Sequence, residues 1–187
     1  MKIKEILLNV TKELETCFAQ LKEGELQALE DAIKAADRVF VAGAGRSLLM
    51  ARCLAMRLMH MGFSAYVVGE TVTPAILPGD LLIIASGSGA TGTLVVMAQK
   101  CKKVGAKLAL ITIHPDSPIG KLADMTVEVK AATSKDAESA VKSIQPGANT
   151  FEQSVLLIGD AIVIDLFSSG DLDEINAQLM ARHANLE

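Results

Sequence analysis

Five short runs rich in apolar and β-branched residues alternate along this chain with stretches that carry apolar residues at helical spacing. The runs are RVFVAG (38–43), SAYVVG (64–69), DLLIIAS (80–86), AKLALITI (106–113) and MTVEVK (125–130). Each is too short for a buried helix, and most stop at glycine or a hydroxyl residue. Between them, residues 47–62 read as a helix stopped by Gly62, and residues 93–105 as a helix with lysines in its last turns and Gly105 at its end. Two amphipathic helices are expected over 2–21 and 25–36, split by Gly24. A long apolar helix is expected over about 150–167, and a last helix and tail close the chain. The polar stretch 131–148 reads as a long loop. Strands alternating with helices imply an α/β three-layer sandwich, a parallel sheet with helices on both faces. At 187 residues the chain is expected to form one domain, with helices in 1–36 and the sheet, covering helices and tail in 38–187.

Composition narrows the class of partner. Half of the residues are hydrophobic, enough for one filled core and a partner surface. The net charge is −4, no basic tract exists, and five Phe and one Tyr are the only aromatics, so a nucleic-acid partner is not expected. The longest apolar stretch, 155–167, is too short to span a bilayer and contains Asp160 and Asp165, so no membrane association is expected. The N-terminus mixes Lys and Glu into its apolar pattern and reads as a helix, not a signal peptide. Cys17, Cys53 and Cys101 are widely spaced within helical patterns and read as reduced thiols of a cytoplasmic protein, not as a disulfide frame or metal site.

Two glycine-rich loops leave strands at the edge where parallel sheets bind ligands. They are GAGRS (43–47) and SGSGATGT (86–93). In the second, glycines let the backbone approach a ligand, the next helix offers unpaired amides, and Ser86, Ser88, Thr91 and Thr93 add short donors. Together these suit a phosphate group. One such loop is equally a Ser/Thr cap after a tight turn. Two at one sheet edge favour binding. Without a Lys the second loop is not a Walker A motif. Arg46 and Ser47 break a dinucleotide fingerprint in the first, and Glu70 stands past Gly69.

GAGRS followed by SGSGAT resembles the SIS (sugar isomerase) domain, whose members bind phosphosugars. Residues 55–63 (AMRLMHMGF), 67–74 (VVGETVTP), 149–153 (NTFEQ) and 182–187 (RHANLE) are similar more narrowly to the 6-phospho-3-hexuloisomerase family. The resemblance runs from about residue 38 to the C-terminus. It implies a flavodoxin-like sheet of five parallel strands and a homotetramer with sites at subunit interfaces. It implies interconversion of D-arabino-hex-3-ulose 6-phosphate and D-fructose 6-phosphate, after formaldehyde fixation in the ribulose monophosphate pathway. The family often has glycine where this chain has Leu48, so a stiffer, bulkier loop is expected there. Ala90 stands where a larger residue is common.

Moving a carbonyl between C2 and C3 requires a base, a polarised carbonyl and a held phosphate, but no metal or redox cofactor. With the resemblance, Glu152 is the candidate base, although a first-turn acid is also what the helix dipole favours. His60 is the second catalytic candidate, for ring opening or carbonyl polarisation. It lies far along its helix from the phosphate loop and is expected to serve a neighbour's site. Substrate-binding candidates are Gly45, Arg46, Ser47, Ser86, Ser88 and Thr91, with Glu70 and Thr71 toward the sugar hydroxyls and His183 in a tail over a site. His114 belongs to a turn, and the methionines of 50–61 to core and subunit interface. A non-catalytic phosphosugar sensor, or another phosphosugar isomerase of this fold, is the alternative. The sensor is disfavoured by the lack of room for a DNA-binding module before residue 38.

Overall fold

A computed structural model describes residues 2–132, 142–147, 149–168 and 170–186 of the chain. Its elements, in chain order, are α1 (Ile3–Phe18), α2 (Glu23–Ala35), β1 (Val39–Gly43), α3 (Arg46–His60), β2 (Ala65–Val67), β3 (Leu81–Ala85), α4 (Gly92–Val104), β4 (Lys107–Thr112), β5 (Met125–Glu128), α5 (Thr150–Leu166) and α6 (Leu172–Ala181). The five strands form one parallel sheet in the order β2-β1-β3-β4-β5, as the alternation implies. Of the polar stretch 131–148, residues 133–141 and 148 lie outside the described residues, and 142–147 carry no helix or strand.

The two-residue period of each strand divides the core into two layers. Val39, Val41, Leu81, Ile83, Ala109, Ile111 and Val127 pack against α1, α2, α3 and α5 through Cys17, Leu29, Leu54 and Val155. Phe40, Ala42, Leu82, Ile84, Leu108 and Leu110 face the other way, onto Leu94, Ala98 and Cys101 of α4. Beside α4, turns complete this second layer. The connections 68–80 and 113–124 contain no helix and cover the sheet as turns, through Val68, Ile76, Ile119 and Leu122. Pro74, Pro78, Pro115 and Pro118 explain this, since proline lacks the amide a helix interior needs. The first of these connections is fixed at its end by Arg38 and Asp80. The guanidinium donates to both carboxylate oxygens at 2.9 and 2.6 Å and to the Ala75 carbonyl at 3.0 Å.

Cys17 and Cys101 are buried and Cys53 is half-buried, all as free thiols. Burial pushes the Cys101 thiol up to about 11, so it stays protonated. Met50 packs on the core, whereas Met56 and Met59 are exposed on α3. Asp160 of α5 lies 3.8 Å from Arg57 of α3. Among the described residues no helix is long and apolar enough to cross a membrane.

The sheet's register sets the level of the functional edge. Gly43 pairs beside Ala85, and Ala85 beside Ile111, so the carboxyl ends of β1, β3 and β4 are flush. From β1 the chain turns outward to β2, and from β3 toward β4, so their two loops diverge and leave a crevice. At Gly43 the turn into α3 is so tight that a Cβ would sit 2.8 Å from the Leu48 amide nitrogen. Gly43→Ala is therefore expected to cost about 1–3 kcal/mol by overpacking against backbone. Gly24→Ala, within α2 and with open space around it, should instead stabilise by about 0.5–1 kcal/mol. Urea midpoints of the two variants check both signs.

Candidate active site

The loop after β3 is built by its own hydroxyls and by the crossover next to it. The Ser86 amide donates to the Ile111 carbonyl at 3.0 Å, extending the ladder one residue past β3. The chain then reverses: the Gly89 amide donates to the Ser86 carbonyl at 3.1 Å and to Ser86 Oγ at 3.2 Å. Gly89 has φ +55°, and a Cβ there would run into the Ser117 hydroxyl, so only glycine fits. The Gly87 carbonyl accepts from the Ile113 amide and from Thr112 Oγ1, both at 3.1 Å, and the Gly89 carbonyl accepts from the Ile119 amide at 3.0 Å. The loop is thus bolted to the connection between β4 and β5. Thr91 is the N-cap of α4 with extended backbone, and among the described residues its side chain caps none of the first-turn amides. Those amides are left for a ligand or solvent.

Beyond the loop lies a cavity of about 340 Å³. Three walls enclose it: Ala44, Gly45 and Ser47 from the turn into α3; Ser86, Gly87, Ser88, Thr91 and Leu94 from the turn into α4; Phe151 and Glu152 from α5. Ala132 and Gly147 complete the rim. The N-termini of α3, α4 and α5 therefore converge on one volume, and each carries partial positive charge. None of the described lining residues is Lys or Arg. Attraction for an anion rests on helix ends, amides and hydroxyls. Leu48 is absorbed by its helical position: its backbone packs on Gly43, while Ser47 is buried and lines the cavity.

Glu152 stands apart chemically in this volume. It sits in the first turn of α5, half-buried, and its Oε2 is buried with no hydrogen-bond partner among the described residues. An unsatisfied buried carboxylate oxygen is costly. It is the arrangement expected of a group that takes a proton or hydrogen bond from a ligand.

Six of the sequence candidates therefore meet at one cavity: Gly45, Ser47, Ser86, Ser88, Thr91 and Glu152. Arg46 and Thr93 are exposed and outside the lining, because helical rotation turns them outward. Glu70 follows β2 and forms an ion pair with Arg52 of α3, and the neighbouring Thr71 is exposed. His60 is 4 % exposed at the far end of α3, about 20 Å of helix from Ser47. There it stacks on His183 of the tail, ring centroids 5.2 Å apart. The two histidines belong together, and neither lines this chain's own cavity. Burial, then the charges of His183 and Arg57, lowers the His60 pKa, and its buried Nδ1 has no partner among the described residues. Sequence reasoning missed Thr112, Ser117 and Phe151. The first two shape the phosphate loop from below, and a threonine ending an otherwise apolar strand is the signal for Thr112. Among the described residues no group of three His, Cys, Asp or Glu could hold a metal ion.

The family model of the SIS domain matches residues 32–157, which contain the sheet, both loops and Glu152. A 3-hexulose-6-phosphate isomerase of Bacillus subtilis is 42% identical over 187 residues, covering all of both chains. One of Mycobacterium gastri is 44% identical over 95% of this chain and 88% of its own. A Methanococcus jannaschii crystal structure, whose description infers a 3-hexulose-6-phosphate isomerase function, has TM-score 0.81 and 33% identity. It covers 98% of this chain and 99% of its own. Matched by the family model and by relatives of this name over nearly its whole length, the chain belongs to the SIS-domain family and, within it, to the 3-hexulose-6-phosphate isomerases.

Proposed function

We propose that this chain interconverts D-arabino-hex-3-ulose 6-phosphate and D-fructose 6-phosphate, the step that follows formaldehyde fixation in the ribulose monophosphate pathway. The observation that carries the reading is the buried, unpartnered Oε2 of Glu152 in the same cavity as the hydroxyl loop. Ser47, Ser86, Ser88 and Thr91, with the first amides of α4, grip the 6-phosphate. Glu152 removes the proton from C2 of the 3-hexulose, leaving a 2,3-enediolate, and returns a proton to C3. The carbonyl then stands at C2, and the enol proton passes from O2 to O3. Gly45 lets the backbone approach the substrate. The chemistry needs no metal or redox cofactor.

The assembly we propose is a homotetramer in the cytoplasm. The exposed Met56 and Met59 on α3 support a subunit contact, and the free cysteines suit a reducing compartment. In it the His60–His183 pair completes a neighbour's cavity, where a neutral imidazole polarises the carbonyl or opens the sugar ring. The lowered pKa of His60 supports the neutral form.

Four outcomes test these statements. In deuterated water with fructose 6-phosphate, NMR should show deuterium entering at carbon and a 3-hexulose 6-phosphate appearing. Saturable binding with no exchange would mean a phosphosugar sensor instead. Glu152→Gln should lower kcat by about 10²- to 10⁴-fold with substrate binding largely kept, whereas Ser86→Ala or Ser88→Ala should chiefly raise KM. Mixing inactive Glu152→Gln and His60→Asn subunits should restore activity, because random pairing puts both native groups in about a quarter of shared sites. Mixtures that stay inactive would place the two groups in one chain's site. The depressed pKa of His60 also has a stability consequence. Below the ordinary value of 6.5 the unfolded chain binds the extra proton and the folded chain resists it, so stability falls as pH drops through that value. His60→Asn should flatten the thermal midpoint between pH 7 and pH 5.5.

A further inference from the structure

The wall of the cavity that carries Glu152 is hung on the N-terminal helix through one carboxylate. Among the described residues, Glu13 of α1 accepts four hydrogen bonds: from Ser143 Oγ and the Ile144 amide at 2.7 Å, Gln145 Nε2 at 3.1 Å, and Thr150 Oγ1 at 3.2 Å. No Lys or Arg is among these partners. Gln145 in turn exchanges two 3.0 Å hydrogen bonds with Gln153. Five residues around the start of α5 are thereby tied to a side chain some 130 positions earlier.

Residues 142–147 form neither helix nor strand, and Ile144 within them is 48 % exposed. Yet Gly147 lines the cavity, and Thr150 and Gln153 bracket Glu152 on the first turn of α5. Thr150 reaches α1 directly through Glu13 and Gln153 reaches it through Gln145, so this network bears on the rotation of that turn and on the direction in which Glu152 points. Burial pushes the Glu13 carboxyl up, but the donors from Ile144, Ser143, Gln145 and Thr150 outweigh it and hold the pKa below its ordinary value.

We infer that Glu13 is a positioning residue for the reaction: its carboxylate ties segment 143–145 and Thr150 together and thereby aims Glu152 at the substrate carbon. The inference rests on the reading of Glu152 as the base. A base displaced by even an ångström loses much of its rate, while the phosphate grip, built on β1, β3 and the β4–β5 connection, is untouched.

The test is Glu13→Gln and Glu13→Ala, with Cys17→Ala as control. Cys17 lies one turn further along α1, packs against Ser154 of α5 with Sγ and Oγ 3.7 Å apart, and makes no hydrogen bond to residues 143–145 among the described residues. Both Glu13 variants should lower kcat about tenfold or more with KM within about twofold. Cys17→Ala should lose stability but keep kcat within about twofold. Amide hydrogen exchange over 143–153 should rise about tenfold or more in the Glu13 variants and not in the control. The inference is overturned if kcat in the Glu13 variants stays near wild type, or if it falls no further than in the control. Should the wild-type protein prove inactive on hexulose phosphates, the isomerase reading fails. The exchange measurement then still decides the tether, since unchanged protection at 143–153 would remove it.

Discussion

The contact between the end of β1 and the first turn of α3 sets the geometry on which the site depends. With no side chain at Gly43, the backbone of Leu48 settles directly on the strand end, and Ser47 is delivered to the level of Ser86 on the adjacent strand. Hydrogen-bonded register then does the rest: the flush carboxyl ends of β1 and β3 place two helix starts side by side.

On that base the cavity divides into two chemically distinct ends. One is an electropositive cradle of amides and hydroxyls fixed to the sheet, with Gly87 and Gly89 anchored from below by Thr112, Ile113 and Ile119. The other is a single carboxylate on α5, whose helix is carried by α1 and α3 more than by the sheet. Three helix ends bring partial positive charge to this volume, and the buried Oε2 of Glu152 has no hydrogen-bond partner among the described residues.

The strands were legible because apolar β-branched runs bounded by glycine have few other solutions, and the phosphate loop because three glycines and four hydroxyls have little reason to follow a buried strand. Glu152, His60 and the sugar-contacting residues rested on the family resemblance, since a first-turn acid or a lone histidine has an ordinary structural explanation. What the pattern hid has a common physical cause. Arg46 and Thr93 stand in the motifs but point outward because the helices have already begun. Glu70 is occupied by Arg52, a partner on another element. Glu13 looked like one more polar position on an amphipathic helix, because its partners are distant in sequence and meet it only in the folded chain.

The absence of Lys and Arg from the described lining of the cradle has a consequence for how the substrate is held. A grip made of dipoles and neutral donors is short-ranged and geometrically exact about where oxygen atoms sit, but it has little long-range field. Dissolved salt, which screens point charges over about 10 Å, has correspondingly little to weaken once the phosphate is seated. Discrimination then falls to shape and hydrogen-bond count, so that an anion lacking the sugar behind it gains only part of the available contacts. Such a cradle favours a molecule that also reaches the far wall.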